Sequence, residues 1–526
     1  MIEAEVHYSL HNFLRSQGEA SWHHHLTMAR LVARGLRLKR SALIQVGAGS
    51  GYQGRYRLSY LAPALMWQEA VIIVAPEEVQ QRLLRVEIPP LQQWLQTEKQ
   101  ILTSNSWADD DFQGLLLTSP ASWLEAQLAG KGFPSNIPTI LDGVDDLEAW
   151  TRTQLTATIQ PSDWDELMLA FPKHVEAIRD ARVQLTKAIF QHPVNPYECY
   201  LSSQQEQDIL YSLDQTLAIS RQSTAPQRTD NHDSEPSMST RKLGVPHAWR
   251  KFWQLCSSDN QLLWATVARS QGSFSLHSSP VEVASTLAPI WSRQPVVLVG
   301  SALDQETEAP IYRKNLGLGE LTCLKFSDDR RENLIQLYLP DRLPLPNTPE
   351  FQTAFIEKVH SLLSLTTASP GLTVILVGDV PLKAQVGAAL AAEFGSRVQV
   401  EKTTSLDQRG ILIAGWEFWR QHLGELPTPQ LLIVATLPLP SLENPLVAGR
   451  VAYYKRKHQD WFRLYLLPAA LNELSRAIAP VRERHGVVAL LDSRVLHRSY
   501  GSQVLAALSP MARIDYLDSS LLTPAN

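Results

Sequence analysis

A short apolar run that ends in glycines is the feature that most constrains how this chain can fold. Ser41 to Gln45 (SALIQ) leads into Gly47, Gly49, Gly51 and Gly54, and Leu58 to Trp67 (LSYLAPALMW) then places apolar residues at helical spacing. Strand, glycine loop and helix in this order build a phosphate cradle when the glycines let backbone N–H groups approach an anion at a helix N-terminus. Gly49 to Tyr56 reads GSGYQGRY, which fits G-x-x-x-x-G-K-[ST] in its glycines while Arg55 stands at the lysine and Tyr56 at the hydroxyl. In such a loop lysine reaches the β and γ oxygens and the small hydroxyl holds Mg²⁺. A guanidinium at Arg55 keeps the charge but not the compact shape of an ammonium. A phenol ring at Tyr56 occupies the space of the metal and its waters. The other reading of the run is a plain strand-to-helix turn rich in glycine.

A chain of 526 residues predicts two or more domains. With 44% hydrophobic and 19% charged residues the composition is that of a soluble globular protein. A net charge of −5 gives no whole-molecule signature of nucleic-acid binding, so any such site must be local. Cys199, Cys256 and Cys323 lie far apart and form no C-x-x-C pair, which argues against a disulfide framework, a zinc cage or an iron–sulfur cluster built by this chain. The start, MIEAEVHYSLHNF, is acidic, and no stretch approaches the ~20 apolar residues of a membrane span. The expectation is a cytoplasmic protein with no membrane partner and no resident metal cluster.

Residues 1 to 40 read as helical, with Leu26, Met28, Leu31, Val32 and Leu36 on one face. Strand-like runs then recur between helical segments at Ala42 to Val46, Val71 to Ala75, Gly114 to Thr118 and Thr139 to Leu141. From Trp150 to Leu217 the chain turns polar and mostly helical, and Arg221 to Lys242 is so poor in large apolar residues that it predicts a disordered loop. Val296 to Gly300 (VVLVG) belongs with the first sheet. A second series of runs follows at Thr373 to Val377, Ile411 to Ala414, Leu431 to Ala435 and Val487 to Leu491. Strands alternating with helices predict an α/β protein with two parallel-sheet domains and a helical insertion in the first.

These blocks, taken in order, resemble the DinG and XPD group of superfamily 2 DNA helicases. The glycine loop resembles the first helicase motif, and VIIVAPEEVQQRLL (Val71 to Leu84) looks like the next. LLLTSPASWLEAQL (Leu115 to Leu128) is similar to the stretch before the acidic box, and IPTILDGVDDLEAW (Ile137 to Trp150) falls where that box belongs. Leu262 to Leu287 resembles the return into the first motor domain, which ends in VLVGSALD. FSDDRRENLIQLYLPDRLPLP (Phe326 to Pro346), LPLPSLENPL (Leu437 to Leu446) and Leu467 to Gly501 look like second-domain blocks, the last being the most specific. The resemblance implies two RecA-like motor domains, one at 1–149 and 262–304 and the other at 305–526. It places an arch-like helical insertion at 150–261 with a disordered loop at 221–242. It also implies ATP and Mg²⁺ as cofactors, single-stranded DNA as ligand, and protein partners in DNA repair or replication.

The departures from the family fall on its catalytic positions. Where the family has D-E-A-H, aspartate for Mg²⁺ and glutamate for the attacking water, this chain has Asp142, Gly143, Val144 and Asp145. Asp142 keeps the metal-side carboxylate and Gly143 removes the base; Asp145 and Asp146 are expected in a solvated acidic loop. GWEFWRQHLG (Gly415 to Gly424) keeps Phe418 and Trp419 but has Arg420, Gln421, His422 and Leu423 where the family has E-G-V-D. The final Q-x-x-G-R becomes Arg476, Ala477, Ile478, Ala479 and Pro480, so the γ-phosphate arginine is a proline and only a shifted Arg482 or Arg476 can replace it. Pro480 disfavours a helix through that point. The family's iron–sulfur domain would lie between Leu84 and Leu115, where only about 30 residues and no cysteine are found.

The nucleotide candidates are therefore Gly47, Gly49, Gly51, Gly54 and Arg55, with Asp142 and Arg482 as the catalytic ones. For nucleic acid, Lys455, Arg456 and Lys457 within YYKRKHQDWFR (Tyr453 to Arg463) can meet phosphates while Trp461 stacks on bases, and Arg34 to Arg40 (RGLRLKR) is a second basic stretch. The bland alternative for both is a solvated basic helix face. His23, His24 and His25 are adjacent, do not share one helix face, and are expected at the surface rather than on a metal. Three readings follow: a helicase-like nucleic-acid-binding protein with an impaired or lost ATPase site, a working ATP-dependent DNA helicase with compensated motifs, or a protein-binding scaffold.

Overall fold

The computed structural model describes residues 2–17, 22–52, 54–107, 111–130, 132–223, 244–256, 260–327, 334–366, 371–404, 406, 409–516 and 518, without the side chains of 219–223. The expected disordered loop at 221–242 lies, from 224 onward, outside the described residues. The chain divides into two compact units: Met1–Glu148, Ala284–Leu439 and Phe462–Asn526 form one, and Ala149–Val283 with Pro440–Trp461 form the other.

The first unit opens with β1 (Ala42–Gln45), β2 (Val71–Val74), β3 (Ile101–Thr103), β4 (Leu115–Thr118) and β5 (Thr139–Asp142). The chain then leaves for the second unit, which holds β6 (Ala157–Ile159), β7 (Cys199–Leu201), β8 (Gln261–Ala268) and β9 (Ser273–Pro280). It returns as β10 (Val296–Gly300) and β11 (Thr322–Lys325), which complete a seven-stranded parallel sheet in the order β11-β1-β10-β5-β2-β4-β3. The central strands are buried along their whole length because helices cover both faces, so each reads as an unbroken apolar run. One of those helices, His25–Leu38, buries Met28, Val32 and Leu36 against that sheet's core, which includes Ile44, Ile73 and Val299.

A second parallel sheet in the same unit comprises β12 (Ile335–Tyr338), β13 (Leu372–Leu376), β14 (Val398–Val400), β15 (Ile411–Ala414), β16 (Pro429–Val434), β17 (Val487–Leu490) and β18 (Met511–Ile514). Its order is β14-β15-β13-β16-β17-β12-β18, all pairs parallel. Helix Leu467–Arg482 packs on one face through Leu471, Leu474, Ile478 and Val481; Phe355, Val359 and Val386 pack on the other. Two seven-stranded parallel sheets with flanking helices are the expected RecA-like pair.

The insertion departs from its expected mostly helical character. β6, β9, β8 and β7 form an antiparallel sheet in that order, packed on helices through Trp164, Trp249, Phe252 and Leu276. Residues 262–280, expected to re-enter the first motor domain, are instead the β8–β9 hairpin of this sheet; the alternation of buried and half-exposed residues over 265–278 suits a sheet with one covered face. The chain re-enters the first unit at Ala284, ahead of β10, and the first sheet extends past residue 305 because β11 pairs with β1. Helix Pro445–Arg456 also belongs to this unit. A Cβ added at its Gly449 would meet Leu201 and Leu262 at 2.9–3.2 Å, so the absent side chain sets the close approach of helix to sheet.

Candidate functional site

Ligands of open parallel sheets bind beyond the carboxyl ends of the strands, and here the glycine loop, the acidic box and the SALD turn leave β1, β5 and β10 side by side. Gly47 turns out of β1 with φ 83, and Ala48–Tyr52 winds into a short helix that buries Gly49 and Ser50. The Gly51 N–H donates to Gly47 O at 3.0 Å, Gly54 N–H to Gly51 O at 3.1 Å and Arg57 N–H to Gly54 O at 3.0 Å. These loop amides are bonded to the loop's own carbonyls. A Cβ at Gly51 would lie 2.4 Å from the Ser301 Cβ, so glycine here is set by packing against the end of β10.

Asp142, at the end of β5, is 1% exposed. The Tyr56 hydroxyl donates to its Oδ1, while Arg57 Nε (3.0 Å) and the Tyr60 hydroxyl (2.9 Å) donate to its Oδ2. Tyr56 and Tyr60 are 4% and 0% exposed. Burial first, and the Asp142 charge second, hold both phenols well above the ordinary tyrosine range. Desolvation pulls the Arg57 guanidinium down, but Asp142, Tyr60, Tyr56 and Glu87 together outweigh it and its pKa stays raised. The residue that sequence spacing marked as an obstacle to the metal, Tyr56, is thus a ligand of the carboxylate itself. Arg57 and Tyr60 were missed, although their spacing from Tyr56 (i+1 and i+4) was readable as a polar cluster inside an apolar helix.

A group whose pKa is raised by folding supports the fold below its unfolded value and loses that contribution as pH climbs. Tyr56, Tyr60 and Tyr312, the last also buried and raised, share this sign, and the window opens near the free tyrosine value of about 10. We expect absorbance at 295 nm to show these three phenols ionising only together with cooperative alkaline unfolding. Titration of all fourteen tyrosines near their ordinary value, with the fold intact, would contradict the cage.

The acidic box is not a solvated loop. Gly143 takes a left-handed conformation, φ 76 and ψ 34, which a larger side chain enters only with strain. Asp145 accepts from Ser301 N–H (2.9 Å), Ser301 Oγ (2.7 Å) and Ala302 N–H (2.9 Å), tying the box to the SALD turn. Asp146 takes both arms of the Arg476 guanidinium, at 2.8 and 3.0 Å. Arg55 reaches Glu483 at 3.2 Å.

Arg482, a catalytic candidate from its sequence position, is 1% exposed and donates to the carbonyls of Leu508 (2.8 Å), Ser509 (3.1 Å) and Pro510 (3.0 Å). It holds the approach to β18 inside the second sheet's domain. Its helix, Leu467–Arg482, runs through Pro480; the proline falls in the last turn, where a missing N–H removes a single bond. The retained Trp419 donates its indole N–H to Ala477 O at 3.1 Å on that helix.

In the insertion unit, Lys455, Arg456 and Lys457 are exposed at the end of helix Pro445–Arg456. The Lys455 ammonium lies 5.3 Å from the centre of the Trp461 ring, Arg456 and Lys457 lie 6.0 and 4.4 Å from that of Tyr453, and Lys457 also binds Glu282 at 3.0 Å. The four nucleic-acid candidates thus form one basic and aromatic patch. In the other basic stretch, Arg37 is paired with Glu3 at 2.7 Å. His25 is not at the surface: it is 3% exposed, bonded to Ser59 Oγ at 2.8 Å, and pushed down to about 4 by burial. His24 stacks on Phe326 with ring centres 4.9 Å apart. Among the described residues no group of three or more His, Cys, Asp or Glu side chains is arranged to hold a metal ion, and no helix is long and apolar enough to cross a membrane.

Residues 428–511 match the family model described as helicase C-terminal domain. Over 257 residues the chain is 22% identical to the ATP-dependent DNA helicase YoaA of Escherichia coli (strain K12), a stretch that covers 46% of this chain and 40% of that relative's length. Among solved structures, Xpd4 of S. tokodaii superposes with a TM-score of 0.57 at 11% identity, covering 94% of this chain and all of the other. An apo XPD structure gives 0.56 at 12% identity over 93% of this chain. The fold is XPD-like, with two seven-stranded parallel sheets and an antiparallel insertion sheet. Sequence similarity to a helicase C-terminal domain is confined to residues 428–511, within the second sheet's domain.

Proposed function

We propose that this protein binds single-stranded nucleic acid through its insertion and does not turn over ATP. The reading rests above all on the Asp142 carboxylate. In the family that group supports Mg²⁺; here both oxygens are engaged by Tyr56, Tyr60 and Arg57 in a buried cage. Mg²⁺ demands a near-octahedral shell of oxygens and keeps several waters. A carboxylate that is 1% exposed and enclosed by two phenols and a guanidinium leaves no room for that shell. The residues present do not fit Mg²⁺–ATP. The first motor domain would then comprise the sheet built from β1 to β5, β10 and β11, the second the sheet built from β12 to β18, and the nucleic-acid site the patch around Lys455, Arg456, Lys457 and Trp461.

Support for the nucleic-acid half comes from clustered cations beside aromatic rings in a chain whose net charge is −5, since phosphate attraction must then be local. Fluorescence anisotropy with a labelled oligonucleotide tests it. Exchanging Lys455 and Arg456 together for alanine is expected to weaken binding about tenfold at 0.1 M salt and to flatten the salt slope by about 1.4, or 0.7 per phosphate contact. A variant that binds as the parent does, with the same salt slope, removes the patch from the site. Phosphate release from ATP tests the other half. DNA-stimulated hydrolysis would return the protein to the class of ATP-driven helicases, and absence of both activities would favour a scaffold.

A further inference from the structure

Helix Leu467–Arg482 and the residue that follows it present Asn472, Arg476, Ala479 and Glu483 at positions i, i+4, i+7 and i+11, a single stripe along one helix face. Each polar member of the stripe reaches across to the domain of the first sheet. Asn472 Nδ2 donates to Leu303 O at 3.4 Å in the SALD turn, Arg476 grips Asp146 in the acidic box through both arms, and Glu483 accepts from Arg55 in the glycine loop. Ala479, 2% exposed, sits between them on the stripe, and the short helix Ala48–Tyr52 packs on this longer one. The Tyr52 hydroxyl adds a fourth tie, to Leu423 O at 3.0 Å, beyond helix Trp416–His422.

Every structure that faces nucleotide in the family resemblance, glycine loop, acidic box and final-motif helix, is here bonded to its opposite number by side chains. We infer that this stripe is a built-in latch that keeps the two motor domains closed without nucleotide. The inference rests on the reading that the cleft does not use Mg²⁺–ATP, and extends it from chemistry to conformation. Arg476 suits the task. Its planar fork meets both oxygens of Asp146 at once, a geometry a lysine does not reproduce. Desolvation lowers its pKa, but the hydrogen bonds and charge of Asp146, with Asp145 and Glu473 behind, raise it further, so the guanidinium stays charged. Glu483 is pushed up by burial, an effect that Arg55 and Arg484 oppose. A latch of this kind makes any affinity for nucleic acid insensitive to nucleotide.

Hydrogen exchange followed by mass spectrometry on the full chain tests it, reading peptides across 47–57 and 470–484 with and without Mg²⁺ and a non-hydrolysable ATP analogue. In the parent, both peptides are expected to exchange at the same rate in either condition. In Arg476→Gln the 47–57 peptide is expected to exchange about tenfold faster, while the Val487–Leu490 strand keeps its protection and so reports an intact fold. The charge-swapped pair, Asp146→Arg with Arg476→Asp, restores slow exchange if the ion pair itself is the latch. Slower exchange of the parent on adding the analogue, or unchanged exchange in Arg476→Gln, overturns the inference. A parent that hydrolyses ATP while showing nucleotide-independent exchange overturns the non-turnover reading alone.

Discussion

Asp142→Asn is expected to destabilise this protein by about 3–5 kcal/mol, the range seen when one partner of a buried ion pair is removed. Three donors converge on a carboxylate that is 1% exposed, and one of them is the Arg57 guanidinium, whose side chain is only 12% exposed. An asparagine presents one acceptor oxygen and an NH₂ group. The Arg57 charge then keeps only Glu87, 4.0 Å away, as a counterion in a site that is largely shielded from water. Tyr56→Phe is expected to cost less, about 1.5–3 kcal/mol, since the carboxylate keeps Arg57 and Tyr60 while a hydrogen bond to a charged acceptor is lost. Urea and thermal unfolding, followed by fluorescence, measure both. The contrast with a metal site is what makes the result diagnostic. A carboxylate held open for Mg²⁺ is a cluster of uncompensated charge in the free protein, and neutralising it leaves the fold as firm or firmer. If Asp142→Asn unfolds at the same urea concentration as the parent, Asp142 is not the centre of a structural cage.

How far the sequence carried depends on where each element is buried. Strands β1, β2, β4, β5, β10, β13, β15, β16 and β17 were legible because a parallel strand covered on both faces must be apolar throughout. β3, β11 and β14 were not: they are short edge strands whose residues are half-exposed or exposed, and only their neighbours define them. The β8–β9 hairpin carried a readable alternation and a turn at Gly272, but its position in the block order drew the eye to the first motor domain instead. At the site, spacing alone exposed the substituted positions Arg55, Tyr56, Gly143 and Pro480. What replaces them was illegible, because Arg57 and Tyr60 act on a carboxylate more than eighty residues away. Arg482 shows the opposite error. Arginines two residues apart in a motif look interchangeable on paper, yet a helix turns about 200° over that distance and sends one into the core.

Phosphate release from ATP is expected to stay at background, at least about 10³-fold below a DNA-stimulated family member, since the loss of an arginine finger alone removes 10³ to 10⁵ in rate. Other losses act separately from that one. Gly143 offers no base, Asp142 is enclosed by its cage, and Arg476 is committed to Asp146 while Arg482 is buried on its own domain's carbonyls. Restoring the motif letters does not undo this. In Arg55→Lys with Tyr56→Thr, Arg57 and Tyr60 still hold Asp142. Adding Gly143→Glu places a side chain on a backbone with φ 76, where the strain opposes the position that the base must take. We therefore expect the repaired triple variant to remain as inactive as the parent, in a phosphate-release assay with saturating single-stranded DNA. DNA-stimulated turnover in the parent, abolished by Arg55→Ala, is the result that would sink this reading. It would require Arg55 to leave Glu483 and Tyr56 to swing away from Asp142, and the exchange experiment on residues 47–57 would then register nucleotide binding as slower exchange rather than as no change.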